Sequence, residues 1–222
     1  MSFPIFMNTL EQCTKQVIKN LVNNSIYSNA YFDYNPESKR LSFTKEQRGT
    51  CHQGRTLEEL FLEEDIKTCE FHDLGRSVKK ALSVASMGKM LYNRIVVEVA
   101  KKTPFPKFKN RLYRLINVNI PELSEVIVAP NVFIDYLYPE LITINPGTFI
   151  GEEAILTTHY FTAQKFVIGN INLGKDCLIG GRSIILPGVT LGDGAEIGLN
   201  SVIARDIESG QKVRPCEFTS YR

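Results

Sequence analysis

Residues 173–208 repeat with a period of six. Six consecutive hexapeptides, LGKDCL IGGRSI ILPGVT LGDGAE IGLNSV IARDIE, each begin with Leu or Ile, and the second position is Gly in four of them. The fifth position is small in all but the last. A period with one large and one small inward residue fits a triangular prism whose three flat faces each take one hexapeptide. The large inward residues are Leu173, Ile179, Ile185, Leu191, Ile197 and Ile203.

This period also predicts which side chains stack. Because three hexapeptides complete one coil, residues 18 positions apart should lie one above the other, and their strands should pair in parallel. The same phase occurs upstream at Ile144, Ile150 and Leu156, so a separate block belongs to the same prism. The expected stacked pairs are Leu173 with Leu191, Ile179 with Ile197, and Ile185 with Ile203.

The first half of the chain has a different character. Residues 1–120 hold 19 Lys/Arg against 12 Asp/Glu, whereas residues 121–222 hold 7 against 12 and carry 11 of the 15 glycines. Apolar residues spaced by three and four predict helices, with one short strand at RLSFT. We therefore expect an α + β fold with a mainly helical region over 1–115, a parallel β-helix over 116–210 and a tail over 211–222. The predicted helices cover 8–22, 57–69, 76–102 and 107–116. The apolar face of the third is formed by Val78, Ala81, Leu82, Ala85, Ile95 and Val99, and that of the fourth by Phe108, Leu112 and Leu115.

Composition narrows the class of protein. The chain is 43% hydrophobic and 23% charged, which is typical of a globular protein, and no apolar run approaches the roughly 18 residues that a membrane-spanning helix needs. With no recognisable signal peptide, we expect a cytoplasmic protein. Its five cysteines, odd in number and irregularly spaced, are expected to be reduced thiols. Neither half is basic enough to predict nucleic-acid binding.

The segment LPGVTLGDGAEIGLNSVIARDI resembles the hexapeptide-repeat acyltransferases, and among them the maltose, galactoside and xenobiotic acetyltransferase branch. The segment YPELITINPGTFIGEEAILTTH is similar to the same family, with Ile144-Asn145-Pro146-Gly147 where Ile-Gly-Asp-Asn is usual. The resemblance covers about residues 116–210. It implies a left-handed β-helix, acetyl-CoA as acyl donor, and a homotrimer that shares its sites between adjacent subunits.

A candidate catalytic base follows from the same resemblance. Of three histidines, only His159 lies in the repeat region, at the point where the hexapeptide pattern stops. In the family, a histidine at this place serves as general base. A catalytic imidazole needs its second nitrogen held by a carboxylate or a carbonyl. Many relatives have an acidic residue next, but here it is Tyr160, which leaves Asp135 and Glu140 as the candidates.

The resemblance also implies a binding site for coenzyme A. Backbone amides and small side chains along a corner of the prism would hold the pantetheine, and a cation would lie near the adenine or phosphate end. The end of the chain, SGQKVRPCEFTSYR, departs from the Gly-Val-Pro-Ala segment that commonly closes over the cofactor. The corresponding positions are Gly180, Gly181, Arg182, Leu199, Asn200, Ser201, Ala204 and Arg205.

Two other groups of residues have simpler interpretations. Cys51, His52, Cys69 and His72 could supply four metal ligands. However, Cys51 and His52 are adjacent, so we expect no metal and interpret the four as core thiols and surface histidines. The run KKTPFPKFKNRLYR holds six cations and no acid. It could touch a membrane or a polyanion, but a solvated basic face is favoured.

These observations favour an O-acetyltransferase that passes an acetyl group from acetyl-CoA directly to a hydroxyl of a sugar or sugar-containing acceptor in a ternary complex. Transfer to an amine or to serine is the alternative within enzymes. A catalytically silent β-helix used as a scaffold is the alternative outside them, and His159 argues against it.

Overall fold

The computed structural model describes residues 15–20, 31–44, 57–72, 87–122, 125–162 and 164–219. Residues 15–20 are helical, within the predicted helix over 8–22, whose other residues lie outside the described ranges. The helices that follow are α1 (Leu57–Glu63), α2 (Met87–Lys102) and α3 (Pro106–Leu115), with a 3-10 helix at Pro139–Leu141. Among the described residues, no helix has the length and apolar character needed to span a bilayer.

The strands fall into an N-terminal group and a long series of short prism strands. The first group is β1 (Tyr31–Asn35), β2 (Arg40–Thr44) and β3 (Thr68–His72). The others are β4 (Ile127–Val128), β5 (Phe133–Ile134), β6 (Ile142–Ile144), β7 (Phe149–Ile150), β8 (Ile155–Leu156), β9 (His159–Phe161), β10 (Lys165–Gly169), β11 (Ile171–Leu173), β12 (Leu178–Ile179), β13 (Ile184–Ile185), β14 (Thr190–Leu191), β15 (Glu196–Ile197), β16 (Val202–Ile203), β17 (Lys212–Val213) and β18 (Phe218–Thr219).

Three parallel sheets form the predicted prism. Face 1 contains β6, β11 and β14, face 2 contains β4, β7, β12, β15 and β17, and face 3 contains β5, β8, β13, β16 and β18. The chain passes from face to face at corners 1–2, 2–3 and 3–1, named by the faces they join. The helical N-terminal elements followed by this prism confirm the predicted α + β fold.

The predicted stacking is also confirmed. Leu173 pairs with Leu191, Ile179 with Ile197 and Ile185 with Ile203. All six are at most 1% exposed. Small residues at the fifth hexapeptide position, such as Cys177 and Ala195, are buried as well. The interior of the prism is therefore one continuous aliphatic column.

The prism extends beyond the predicted boundary at residue 210. Strands β17 and β18 pair in parallel with β15 and β16, so the ladders run to Thr219. The next coil begins early, because Leu191 is bridged to Ile207, a spacing two residues shorter than the repeat. Because of this shift, the inward residues of the last coil are Ile207 and Val213, which a strict six-residue period does not predict.

A hairpin interrupts the prism at corner 3–1. Ile144 pairs directly with Leu173, although the two lie 29 positions apart instead of 18. The additional residues form the antiparallel pair β9 and β10. This hairpin joins the N-terminal strands in a five-stranded sheet with the order β1–β2–β3–β10–β9. The N-terminal region and the β-helix are thus built into one sheet.

The structure corrects the predicted helix over 57–69. Helix α1 ends at Glu63, and residues 68–72 form β3 between β2 and β10. Pairing with strands distant in the chain overrides the local helical spacing here. The predicted strand RLSFT is β2, as expected, whereas β1 was not predicted.

The buried faces of α2 and α3 also differ from prediction. Ile95 and Val99 of α2 are about half exposed, and so are Phe108 and Leu115 of α3. The residues named for the first part of the predicted helix over 76–102 lie outside the described ranges. The buried residues are Asn93, Val96, Val97 and Ala100 in α2 and Lys109, Asn110 and Tyr113 in α3.

Polar side chains can face the prism in α3 because backbone carbonyls receive them. The Nζ atom of Lys109 donates to the carbonyls of Val128 at 2.9 Å and Ala129 at 3.1 Å. The Nδ2 atom of Asn110 donates to the carbonyl of Val126 at 2.9 Å. A buried polar group is tolerated when its hydrogen bonds are made, which an apolar spacing rule does not anticipate.

Candidate active site

Asp135 and His159 meet at corner 3–1, one coil apart. Asp135 follows β5, and His159 opens β9 just after β8. Strands β5 and β8 pair in register, and the amide of Asp135 donates to the carbonyl of Leu156 at 3.0 Å. The coil-to-coil ladder therefore brings together two residues that are 24 positions apart in the sequence.

The Asp135 carboxylate is fully buried and surrounded by donors. Its Oδ2 atom lies 2.6 Å from Nδ1 of His159 and accepts bonds from the amide and the hydroxyl of Thr158 at 2.9 and 2.7 Å. Its Oδ1 atom accepts the amide of Leu137 at 2.9 Å. Because these partners are fixed, the carboxylate is held in one orientation. The carboxylate in turn holds the imidazole in one orientation.

These contacts determine the charge state of Asp135. Burial raises the pKa of its carboxyl group, but the hydrogen bond and charge of His159 and the bonds from Leu137 and Thr158 more than offset burial. The net result is a pKa below the ordinary value. An ionised carboxylate only accepts hydrogen bonds, so Nδ1 of His159 must carry the proton. The other ring nitrogen, Nε2, then has a free lone pair and can act as a base.

Aromatic rings surround the imidazole. The ring centres of Tyr138, Phe161 and Phe166 lie 6.1, 5.8 and 6.0 Å from that of His159, and the first two meet it edge to face. The His159 side chain is 18% exposed. The imidazole thus has a small opening to solvent between apolar walls.

The N-terminal sheet supports these walls from behind. Phe43, Phe71 and Phe166 stack in sequence across β2, β3 and β10, and Phe166 stacks on Phe161 with ring centres 4.6 Å apart. Lys67 further ties this region to corner 3–1, since its Nζ atom donates to Asp206 at 2.7 Å. The N-terminal region therefore shapes the site from the side opposite the prism.

Of the two carboxylates predicted as partners of His159, only Asp135 reaches it. Glu140 lies in the 3-10 helix, and its Oε1 atom accepts a hydrogen bond from Nζ of Lys89 at 2.9 Å. That contact directs Glu140 toward α2. Separation along the sequence alone could not distinguish the two, because both follow β5 within a few residues.

The predicted coenzyme A residues divide between two corners. Gly180, Gly181 and Arg182 follow β12, and Leu199, Asn200 and Ser201 follow β15, so these six line corner 2–3. Ala204 and Arg205 follow β16 and share corner 3–1 with His159. The two corners border face 3, and a ligand touching both sets must cross that face.

Burial separates these residues further. Ser201 is 1% exposed, and its hydroxyl donates to the carbonyl of Arg214 at 3.1 Å, while Ala204 is 2% exposed and carries only a methyl group. Neither side chain therefore has a polar group available to a ligand. Leu199 and Asn200 are exposed. Arg182 is also exposed, but its Nε atom pairs with Oε2 of Glu153 at 2.7 Å, which gives it a structural reason to lie at this corner.

Arg205 is partly exposed, and its Nη1 atom lies 3.5 Å from the carbonyl of Asp206.

At corner 2–3, a Cβ atom on Gly180 would lie 2.4 Å from the amide nitrogen of Leu199. That glycine is therefore required by the close approach of neighbouring coils, and its presence alone is not a sign of ligand binding.

The possible metal ligands are not assembled in the part of the chain that the structure describes. Cys51 and His52 lie outside the described ranges. Cys69 is buried, and Nε2 of His72 lies 3.3 Å from Glu70. The described residues contain no group of three side chains suited to a metal ion.

Sequence reasoning did not identify Thr158 and Tyr138 as parts of the site. Thr158 directly precedes His159 and fixes Asp135 through two hydrogen bonds. Tyr138 forms one wall of the imidazole site. A usable signal was the loss of the hexapeptide phase after Ile134, where polar and aromatic residues replace the repeat.

Known proteins resemble this chain. The family model described as "Hexapeptide repeat of succinyl-transferase" matches residues 171–205. The Bacillus subtilis (strain 168) protein named "Putative acetyltransferase YvoF" is 32% identical over 122 residues, covering 55% of this chain and 70% of that protein. The Staphylococcus aureus (strain MSSA476) protein named "Putative acetyltransferase SAS0727" is 34% identical over 125 residues, covering 56% and 76%. A solved structure of galactoside acetyltransferase in complex with coenzyme A aligns with 64% of this chain and 79% of its own, at 19% identity and a TM-score of 0.44.

The chain therefore belongs to the hexapeptide-repeat acyltransferases, and its prism is the left-handed parallel β-helix of that family. This confirms the family and the fold that the repeat predicted.

The lowered pKa of Asp135 predicts an acid-dependent loss of stability. The unfolded carboxyl group binds its proton at higher pH than the folded one, so the stability from this contact is complete above the unfolded value. It is lost as the pH falls from about 3.8 toward the lower folded value. In Asp135→Asn, the slope of unfolding free energy against pH over this window should be shallower, by at most about 1.4 kcal/mol per pH unit.

Urea unfolding followed by circular dichroism between pH 6 and pH 3 measures this slope. Glu152→Gln, at an exposed position, serves as the control for removing one negative charge. Equal slopes in Asp135→Asn and the wild type would contradict the assignment of an ionised, buried Asp135.

Proposed function

We propose that this protein is an acetyl-CoA-dependent O-acetyltransferase whose acceptor is a hydroxyl of a sugar or a sugar-containing molecule. The observation that carries the proposal is the 2.6 Å contact between Nδ1 of His159 and Oδ2 of Asp135, which leaves Nε2 free as a base. The relatives named as acetyltransferases support acetyl as the transferred group. The resemblance to the maltose and galactoside branch supports a sugar hydroxyl, and a cytoplasmic location is part of the proposal.

The proposed reaction is a direct transfer. Nε2 of His159 takes the proton of the acceptor hydroxyl while that oxygen attacks the thioester carbon. The carbonyl π electrons move to the carbonyl oxygen, and their return expels the coenzyme A sulfur as a thiolate. The imidazolium then gives its proton to the sulfur. Asp135 stays ionised throughout and stabilises the positive charge that His159 carries between the two proton transfers.

For the acyl donor, we propose that the exposed side chains beside face 3 carry the polar contacts. Arg182 and Asn200 at corner 2–3 and Arg205 at corner 3–1 can reach phosphate or adenine groups. Gly180, Gly181 and Leu199 contribute backbone and apolar surface. Ser201 and Ala204 act only through their positions in the backbone, since their side chains are buried.

We further propose a homotrimer with threefold symmetry. On face 2, Ile127, Phe149 and Leu178 lie on directly paired positions of β4, β7 and β12, and each is at least 41% exposed. A flat row of three large apolar side chains on a prism face is costly to leave in water. Because the three faces differ, a contact between copies is heterologous and closes by rotation into a ring.

The His159→Ala variant tests the proposed function. Coenzyme A release with acetyl-CoA is measured against galactose, maltose, glucosamine and serine. The wild type should release thiol with a sugar, and His159→Ala should lower kcat by about 10²–10⁴-fold with its fold and acetyl-CoA KM retained. The wild-type kcat should also fall in acid, because a protonated imidazole cannot accept the proton.

The control variant is His72→Ala, which removes an imidazole that contacts Glu70 in the N-terminal sheet and should retain wild-type turnover. Preference for glucosamine nitrogen or for serine would identify the alternative acceptors. Absence of thiol release with every acceptor would favour a scaffold, and more than about a tenth of wild-type turnover in His159→Ala would assign the base to another group.

Light scattering tests the trimer. The expected mass is about 75 kDa, three times the 25.1 kDa of the chain, and Phe149→Asp should shift it toward the monomer by placing a charge in the apolar row. Glu152→Gln, at an exposed corner position, should leave the mass unchanged. A wild-type monomer at micromolar concentration would contradict the proposal.

A further inference from the structure

Tyr138 carries an unused hydrogen-bonding group beside His159. It lies three positions after Asp135, and its ring meets the imidazole edge to face at 6.1 Å and 82°. The residue is 6% exposed. Its hydroxyl is buried and has no hydrogen-bond partner among the residues that the structure describes.

A buried hydroxyl without a partner is rare in native proteins, since the group has lost water and gained nothing in return. Such a group at a candidate active site is accounted for if a ligand supplies the partner. Burial raises the pKa of Tyr138, and the charges of Asp135 and Glu140 raise it further. The phenol is therefore protonated over the whole physiological range and can donate a hydrogen bond.

The charges nearby restrict what the hydroxyl can bind. Two carboxylates lie close enough to Tyr138 to affect its ionisation, so an anionic partner is disfavoured. An ammonium group offers no lone pair and cannot accept a hydrogen bond. The remaining partner is a neutral oxygen, such as the hydroxyl of a sugar.

We infer that the Tyr138 hydroxyl donates a hydrogen bond to a hydroxyl oxygen of the acceptor and so orients the acceptor toward Nε2 of His159. This inference rests on the proposed function and specifies it, because it assigns a residue that orients a hydroxyl-bearing acceptor. With ring centres 6.1 Å apart, a single sugar can contact both side chains. The inferred hydrogen bond is made to the acceptor alone, so the binding of acetyl-CoA should not depend on Tyr138.

The test is Tyr138→Phe, which removes only the hydroxyl. The acceptor is galactose or maltose, whichever gives the faster release of coenzyme A with the wild type. At saturating acetyl-CoA, the kcat/KM for this acceptor should fall at least about tenfold, mainly because its KM rises. The KM for acetyl-CoA should not change. The Tm should be equal to or higher than that of the wild type, because the variant removes a buried polar atom that has no partner in the free protein.

Tyr113→Phe is the matched control. The hydroxyl of Tyr113 is also fully buried and without a partner among the described residues, but it lies in the core between α3 and the prism, away from His159. Its variant should show the same neutral or favourable change in Tm with wild-type kinetics for both substrates.

The possible results distinguish this inference from the proposed function. If the wild type releases no coenzyme A with either sugar, the proposed function is wrong and the inference falls with it. If the wild type is active and Tyr138→Phe keeps its acceptor kcat/KM, only the inference is wrong. A clear loss of Tm in Tyr138→Phe, or an equal kinetic loss in Tyr113→Phe, would also overturn it, since the hydroxyl would then act through the fold.

Discussion

The parallel register between neighbouring coils is the constraint on which the site depends. Inward aliphatic side chains such as Ile185 and Ile203 stack at 18-residue intervals, and a slip of one residue would turn every inward side chain outward. The same register pairs β5 with β8 and so fixes Asp135 against the turn that carries His159. The contact at 2.6 Å is thus a consequence of core packing, held by backbone pairing on both sides.

The rest of the molecule builds on this contact. The hairpin β9–β10 grows out of corner 3–1 and completes the N-terminal sheet, so that a row of stacked phenylalanines ends at the imidazole. Their apolar surface lowers the local dielectric and strengthens the pairing of Asp135 with His159. The N-terminal region therefore contributes to the chemistry through the walls of the site, although it supplies neither of the paired groups.

The sequence was most informative where structure is local and periodic. The hexapeptide phase predicted each stacked pair, because one coil repeats the environment of the last. It failed where contacts are distant in the chain: β3 was taken for helix because its partners β2 and β10 lie far away, and Ile95 was assigned to a buried face that Val96 and Val97 occupy. At the site, the break in phase located His159 and the resemblance to the family implied its role as a base. Choosing Asp135 over Glu140 required the register, and finding Tyr138 required knowledge of which buried groups lack partners.

The tautomer of His159 is the most direct test of this account. The chain has three histidines, so their imidazole nitrogens can be assigned in ¹⁵N spectra by comparison with His159→Gln. At alkaline pH, where the ring is neutral, Nδ1 of His159 should carry the proton and Nε2 should show the shift of an unprotonated nitrogen. Asp135→Asn should remove this preference. A wild-type spectrum with the proton on Nε2 would contradict the claim that Asp135 prepares His159 as the base.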